Sequence, residues 1–467
     1  MKSDVIPSTW LEQEGRRLDC GPYLSGAIQA KLLIDGLRVR KDPLQTLTLG
    51  GIAGIINAGR ISRIWVNDLE NGIPFLSSTD ILQADFTYLR PIAKRVAQIN
   101  PKLIIHENYI LITRAGTIGR MTYCRPDMDG MACSEDVMRV IPDTNQIKPG
   151  YLYAFLKSPF GTPLVTSGTY GAVIQHIEPD HIKNLNVPRL GDSFEAQVHQ
   201  KVVEAAQLRT EYQIQVQQAT QQLFVAVGLA DITCGEWHST GPNLAFTAKL
   251  NSPASLRAAN FNPRFQELCD KIKSASYKTL GNICIPRTLR RGNRFNRIEA
   301  DPDYSYLLIN QKQLFWQQPE GRWIARFGAG SDVIVPDGTT LVAARGTLGE
   351  SELYCRSEFI SGPALERAYS EDLLRVIANE QVMPRGCLFA FMRSETAFRM
   401  LRSIAVGSKL QDHHYAFLPH LPVPYPDPNT QQAIHELVVD AYEKRHRSNV
   451  LENEAVAMVE RAILEGV

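Results

Sequence analysis

Five arginines fall within eleven residues at Arg287, Arg290, Arg291, Arg294 and Arg297, with Asn293, Phe295 and Asn296 set among them. Guanidinium forks match guanine O6 and N7, asparagine amides match adenine, and surplus arginines hold phosphates. The spacing points to contact with duplex DNA, against the plainer reading of a solvated loop. In the first half of the chain Arg60 and Arg63 occupy the corresponding stretch with less charge. Further cations suited to phosphate or base contact are Lys94, Arg95, Arg114, Arg120, Arg322, Arg326, Arg345 and Lys409. Tyr170 is a candidate to stack on bases, a packed loop tyrosine being the alternative. Net charge is +1 over 467 residues, so such a role rests on local patches rather than on the field of the whole chain.

Residue strings that would suit catalysis fail on their surroundings. Phe327-Gly328-Ala329-Gly330 is like a glycine turn that cradles S-adenosylmethionine, and Asp301-Pro302-Asp303-Tyr304 is like the D-P-P-Y of amino-methyltransferases. The second lacks its second proline, and the two lie too close to hold a strand-helix-strand nucleotide fold between them. Asp412-His413-His414 could supply a metal ligand or a base, but the matching place in the other half, Ile177-Glu178 after His176, repeats no ligand set. Eight cysteines are scattered without a C-x-x-C pair, which argues against a zinc ribbon or redox dithiol. Cys124 and Cys355, each after a tyrosine, are expected in buried strands. We therefore expect no catalytic residue, no metal and no cofactor in this chain.

The elements that must position these residues come in duplicate. At a shift of 236, Ser134-Glu135-Asp136-Val137-Met138-Arg139-Val140-Ile141 falls on Ser370-Glu371-Asp372-Leu373-Leu374-Arg375-Val376-Ile377. Gly150 to Phe155 meets Gly386 to Phe391, and Gly171, Gln175, Leu185, Val187 and Pro188 meet Gly407, Gln411, Leu421, Val423 and Pro424. Two domains of ordinary size follow from length and duplication. Short β-branched runs such as Tyr109 to Thr113, Val137 to Ile141 and Val333 to Val335, each closed by turn residues, predict β-rich domains, with helices beginning at Tyr151 and Leu388.

Each half closes with a long polar-rich segment. In the first, Val198, Val202, Ala205, Tyr212, Val216, Ala219, Leu223 and Ala226 recur at alternating steps of four and three, with Arg209 interrupting. In the second, Ile434, Leu437, Ala441, Leu451, Ala455, Met458 and Ala462 do so, with Lys444 and Ser448 interrupting. Rods of about 36 residues reach about 54 Å, and so narrow an apolar stripe makes a poor helix alone. The expectation is an α+β fold: two β-rich domains at 1–191 and 257–427, each followed by a long helix at 192–228 and 428–467, a linker at 229–256, and the two helices pairing as an antiparallel coiled coil. Two separate surface helices, each lying on its own domain, are the alternative. Pairing is expected through Val198, Val202, Tyr212, Val216, Leu223, Ile434, Leu437, Leu451 and Met458. No apolar run approaches the roughly 20 residues of a membrane span, and the start lacks a signal-peptide core, so a cytoplasmic protein is expected.

Taken in order, Arg17-Leu18-Asp19, the run from Asp68 to Leu76, Arg114-Ala115-Gly116-Thr117-Ile118-Gly119 with its echo Arg345-Gly346-Thr347-Leu348-Gly349, the loop Gly168 to His176, Asp180 to Pro188 and the long helices resemble the specificity subunit of type I restriction-modification systems. The resemblance spans essentially the whole chain. It implies two tandem target-recognition domains that read the halves of an interrupted site in double-stranded DNA. It also implies docking of a DNA methyltransferase subunit in two copies, which brings the S-adenosylmethionine, and of a restriction or translocase subunit where the system has one. The candidate DNA-contact residues, read from residue type and spacing, are Arg63, Arg114, Tyr170, Arg287, Arg290, Arg291, Arg294, Arg297, Arg345 and Lys409. The halves depart from each other: Arg345 stands one place later than Arg114 relative to Gly-Thr, and Ala405 to Gln411 replaces Gly-Thr-Tyr-Gly.

Overall fold

Strand pairing in the computed structural model follows the internal repeat almost residue for residue. The structure describes residues 5–13, 21–116, 118–167, 176–249 and 254–466; Arg17-Leu18-Asp19, Thr117, Tyr170 and the loop 168–175 lie outside them. The chain divides into two units, one made of Met1–Gln83, Leu89–Thr210 and Arg447–Val467, the other of Ala84–Tyr88 and Glu211–His446.

In the first unit the strands are β1 (Lys41–Pro43), β2 (Ile55–Ile56), β3 (Gly72–Leu76), β4 (Pro91–Ala93), β5 (Ile110–Thr113), β6 (Met121–Tyr123), β7 (Ala132–Cys133), β8 (Val137–Val140) and β9 (Asn186–Pro188). They form a β1-β9 pair, a four-stranded sheet β2-β8-β5-β6 and a three-stranded sheet β4-β3-β7. Helices α1 (Pro149–Lys157) and α2 (Gly161–Ser167) add to the same apolar cluster. β5 and β8 are buried along their whole length, which is why they read as continuous apolar runs. Arg139 sits inside β8, 1% exposed, and donates to the carbonyls of Ser134, Val137, Cys133 and Leu103. A buried guanidinium is tolerated only when its N–H groups find such acceptors.

In the second unit β10 (Tyr277–Thr279), β11 (Arg290–Arg291), β12 (Ser305–Ile309), β13 (Arg322–Ala325), β14 (Thr339–Ala343), β15 (Ser357–Ile360), β16 (Ala368–Tyr369), β17 (Leu373–Val376) and β20 (Pro422–Pro424) repeat the plan as β10-β20, β11-β17-β14-β15 and β13-β12-β16. A further hairpin joins β18 (Ala405–Val406) to β19 (Asp412–His413), and helices α3 (Arg385–Met392) and α4 (Glu395–Ser403) lie between β17 and β18. Arg375 takes the place of Arg139, donating to the carbonyls of Leu373 and Asp332 at 2.9 Å each. Cys124 and Cys355 are fully buried but lie just outside strands, Cys355 in a turn at φ 75°. The expected linker 229–256 is partly structured: Thr233 caps a short helix, Cys234–Ser239, and Trp237 is buried. The segment 84–88, expected within the first domain, belongs to the second unit.

The long helices run from Asp192 to Val225 and from Pro428 to Glu465. In the first unit Val198, Val202 and Ala206 share an apolar cluster with Ala455, Val459, Ala462 and Ile463. Lys201 pairs with Glu454 at 2.7 Å, and Arg209 donates to Ser448 Oγ at 3.3 Å and Asn449 Oδ1 at 3.1 Å, so two of the polar interruptions meet. In the second unit Tyr212, Val216, Ala219 and Leu223 cluster with Ile434, Val438, Ala441 and Tyr442, and Gln215 donates to Asp440 at 2.5 Å. Leu451 is buried, but Leu437 and Met458 are half-buried, and Val438 and Val459 stand fully buried beside them. The helices cover sheet and α1 or α3 residues as well as each other, and that second contact widens the apolar face beyond a heptad seam.

One joint is duplicated in atomic detail. The N–H of Gly150 donates to His199 Nδ1 at 3.1 Å and that of Gly386 to His435 Nδ1 at 3.2 Å, tying α1 and α3 each to a long helix. A Cβ at either glycine would stand 2.8 or 2.7 Å from the imidazole and 2.9 Å from a backbone oxygen. Gly150→Ala and Gly386→Ala should each lower the unfolding free energy by about 1–3 kcal/mol, read by denaturant titration; a neutral result at both would show that this contact is loose.

Candidate nucleic-acid interface

β11 is an edge strand, with Arg290 opposite Arg375 and Arg291 opposite Leu374. Gly292 follows because a Cβ there would lie 2.4 Å from the Arg375 guanidinium. Beyond it residues 293–297 run along the surface. Arg290, Asn293, Arg294, Phe295 and Asn296 line one side of an open cleft of about 500 Å³, and the loop from Gly328 to Asp332 lines the other. Asp332 accepts the N–H of Asn293 at 2.8 Å and lies 3.8 Å from Arg290, whose guanidinium also donates to Asn293 Oδ1 at 3.2 Å. The glycine string weighed above as a cofactor cradle is thus a wall of the arginine cleft.

The expected contact residues fall into two groups. Carboxylates hold the first. Arg297 pairs with Glu371 at 2.7 Å; Arg291 lies 3.2 Å from Asp412 and 3.5 Å from Asp372; Arg345 lies 3.7 and 3.8 Å from the same two acids. In the first unit Arg63 pairs with Glu135 at 3.2 Å and crosses the Phe75 ring, while Arg114 pairs with Glu178 and donates to the Ile177 carbonyl at 3.1 Å. The other group is free: among the described residues Arg287, Arg294 and Lys409 are exposed and make no ion pair or hydrogen bond, as is true of Arg60. Lys409 sits in the β18–β19 turn. Phosphate binding needs cations whose charge is not already neutralised, which favours the second group.

The offset of Arg345 has a backbone origin. In the first unit the N–H of Arg114 reaches the carbonyl of Asp136, whereas in the second the N–H of Ala344 reaches that of Asp372, both at 3.0 Å. Arg345 therefore lies one residue past the ladder position of Arg114 and finds different acids. Arg287 has φ 68°, and its counterpart in the first unit is Gly51 at φ 71°. Holding an arginine in the left-handed region costs about 1 kcal/mol. Arg287→Gly should therefore raise thermal stability; a fall would mean that its side chain supports the fold instead.

Catalytic readings gain nothing from the geometry. His413 is 1% exposed, stacks on Tyr354 at 5.1 Å and meets Cys355 Sγ at 3.3 Å, and burial pushes its pKa down to about 3. It is a neutral core residue. Cys234, His238 and Glu350 are, among the described residues, the grouping with metal-ligand atoms close together. Arg399 already occupies it, at 2.7 and 2.9 Å from Glu350 and 3.5 Å from Cys234 Sγ. Burial opposes ionisation of Glu350, but the Arg399 hydrogen bonds and charge outweigh it and hold the carboxyl at about 2.

No protein-family model matches the chain. Over 199 residues, 41% of its length, it is 24% identical to the type I restriction enzyme EcoBI specificity subunit of Escherichia coli, and the match spans 41% of that protein. Over that stretch the chain is similar to a type I restriction enzyme specificity subunit. Among solved structures, the type I restriction-modification S subunit from M. genitalium aligns over 92% of this chain and 96% of its own, at 11% identity and a TM-score of 0.37. The HsdS subunit from Thermoanaerobacter tengcongensis aligns over 92% and 97%, at 12% identity and a TM-score of 0.28. Against the expectations drawn from that family, the acids Glu135, Glu371, Asp372 and Asp412 are the functional neighbours missed in the sequence. The signal for Glu135, Glu371 and Asp372 was present, since Ser-Glu-Asp occurs in both halves, while Asp412 was read only as a possible metal ligand or base beside His413.

Proposed function

We propose that this chain is a non-catalytic DNA-specificity subunit that reads an interrupted, two-part target. Residues 1–191 and 257–427 act as the two target-recognition domains. The long helices pair as an antiparallel coiled coil that fixes the gap and docks two methyltransferase subunits, which supply S-adenosylmethionine and catalysis, together with a restriction or translocase subunit where one exists. The observation that carries the reading is the repetition of one sheet plan in both units with exposed, unpaired arginines at Arg60 and Arg294. Such a plan suits two similar half-sites, as half-site spacing follows protein geometry elsewhere. The proposed setting is the cytoplasm; no helix among the described residues is long and apolar enough to cross a membrane.

Co-expression with the methyltransferase encoded beside it, followed by mapping of methylated bases, tests the reading. A bipartite motif is expected, whose halves change separately when each domain is exchanged. Binding of the assembled complex should weaken steeply with salt, as counterion release requires. A continuous motif, or indifference to DNA at every salt concentration, would instead favour a scaffold that assembles other proteins.

A further inference from the structure

The two units share the path of one segment but not its side chains. In β2, Ile56 pairs with Arg139, and in β11, Arg290 pairs with Arg375. Arg139 and Arg375 are repeat mates, so Ile56 and Arg290 hold the same ladder position, 234 residues apart. Carried forward at that interval, Gly59 meets Asn293, Arg60 meets Arg294, Ser62 meets Asn296 and Arg63 meets Arg297. Geometry verifies the last match, because Arg63 binds Glu135 and Arg297 binds Glu371, themselves repeat mates.

Along this segment, then, Arg60/Arg294 and Arg63/Arg297 are kept, while Ile56, Asn57, Ala58, Gly59, Ile61 and Ser62 become Arg290, Arg291, Gly292, Asn293, Phe295 and Asn296. Every base pair presents the same phosphates, so a side chain kept in both units suits the backbone; one that differs suits base edges, which carry the sequence. Of the changed residues, Arg290, Asn293, Phe295 and Asn296 line the cleft facing Gly328–Asp332, whereas Arg291 and Gly292 do not. Gly328 and Gly330, at φ 84° and 79°, add no side chains to that wall, where Asp332 is the charged group. Arg290 is held in place by Asn293 and Asp332 yet keeps about half its side chain exposed.

Resting on the function proposed above, we infer that Arg290 reads a guanine in the half-site of the second unit, with Asn293 as its positioning residue. Arg60 and Arg294 grip phosphate, one in each half. Ile56 and Gly59 leave the first unit without such a guanine contact, so the half-sites differ at this place.

The test uses the full chain assembled with its methyltransferase, bound to a randomised DNA library at several salt concentrations. Arg290→Ile should relax one base position of one half by about 5- to 150-fold and leave the other half unchanged. Arg290→Lys should relax the same position while largely keeping affinity, because lysine keeps the charge without the fork; it serves as the control against a folding defect. Arg294→Ala and Arg60→Ala should weaken all sequences alike and lower the salt slope by about 1 each. An unchanged motif with Arg290→Ile and Arg290→Lys, or a base preference altered by Arg294→Ala, would overturn the inference while the bipartite reading stands. A wild-type complex with no bipartite motif removes both.

Discussion

Replacing Arg209 with alanine is expected to cost the protein about 3–5 kcal/mol of unfolding free energy, seen as a large drop in denaturation midpoint. Arg209 is 6% exposed and Glu452 2%, and the guanidinium donates to the Glu452 carboxylate at 2.5 Å. Lys157 lies 3.0 Å from the same carboxylate and the Tyr153 hydroxyl donates to it. Removing Arg209 leaves a buried anion with too little compensation, which costs far more than the pair contributes net. Arg445, its mate 236 residues later, donates to buried Glu358 at 2.9 Å, with Tyr442 donating as well, so Arg445→Ala should cost a similar amount. The combined change Arg209→Met with Glu452→Leu should recover most of the loss. If Arg209→Ala alone is mild while that pair is severe, packing rather than charge governs the site.

That matched pair of arginines shows how far the sequence could be read. Arg209 stood out as a break in an apolar seam, but its mate Arg445 was not singled out, and neither glutamate could be assigned. Glu452 comes from the other long helix and Glu358 from β15, and a partner set by tertiary packing leaves no local pattern. The sheet ladders were legible because buried strands must be apolar and because the repeat preserved Ser-Glu-Asp, the buried arginine and the helix that follows. Leu437 and Met458 pack against the clusters while only half-buried, and heptad counting left out the fully buried Val438 and Val459 beside them because it assumes one buried face, whereas these helices cover sheet and α1 or α3 residues as well. At the candidate interface, residue type marked Arg291, Arg297 and Arg294 as equals. Only geometry separates the two held by Asp412 and Glu371 from the one that is free. The sequence set Arg60 and Arg63 against the arginine cluster, but the residue-by-residue match of Ile56 to Arg63 with Arg290 to Arg297 stayed hidden, because the repeat interval changes from 236 to 234 just before it.

Arg393→Ala should free the segment 84–88 from the second unit and cost about 3–5 kcal/mol. Arg393, 2% exposed at the end of α3, donates to the Val216 carbonyl and Thr220 Oγ1 at 2.8 Å each, to Asp85 at 2.7 Å and to Thr87 Oγ1 at 2.6 Å. The segment is held further by Gln213, which accepts the Phe86 N–H at 2.9 Å and donates to Asp85 at 3.0 Å. Lys157 occupies the matching place in the first unit and serves Glu452 instead, so the arginine belongs to this attachment alone. Burial opposes the charge on Asp85, but Arg393 and Thr87 outweigh it and hold its pKa well below the usual range. A depressed folded-state pKa gives stability that is complete above the unfolded value of about 4 and is lost as pH falls toward the folded value. Hydrogen exchange and limited proteolysis at residues 84–88 should therefore rise below about pH 4 in the wild type and already be high at neutral pH in Arg393→Ala. Protection unchanged by the substitution would mean that the backbone pairing of Ala84 to Phe315 and the Gln213 contacts suffice, and that Arg393 serves only to close its own helix.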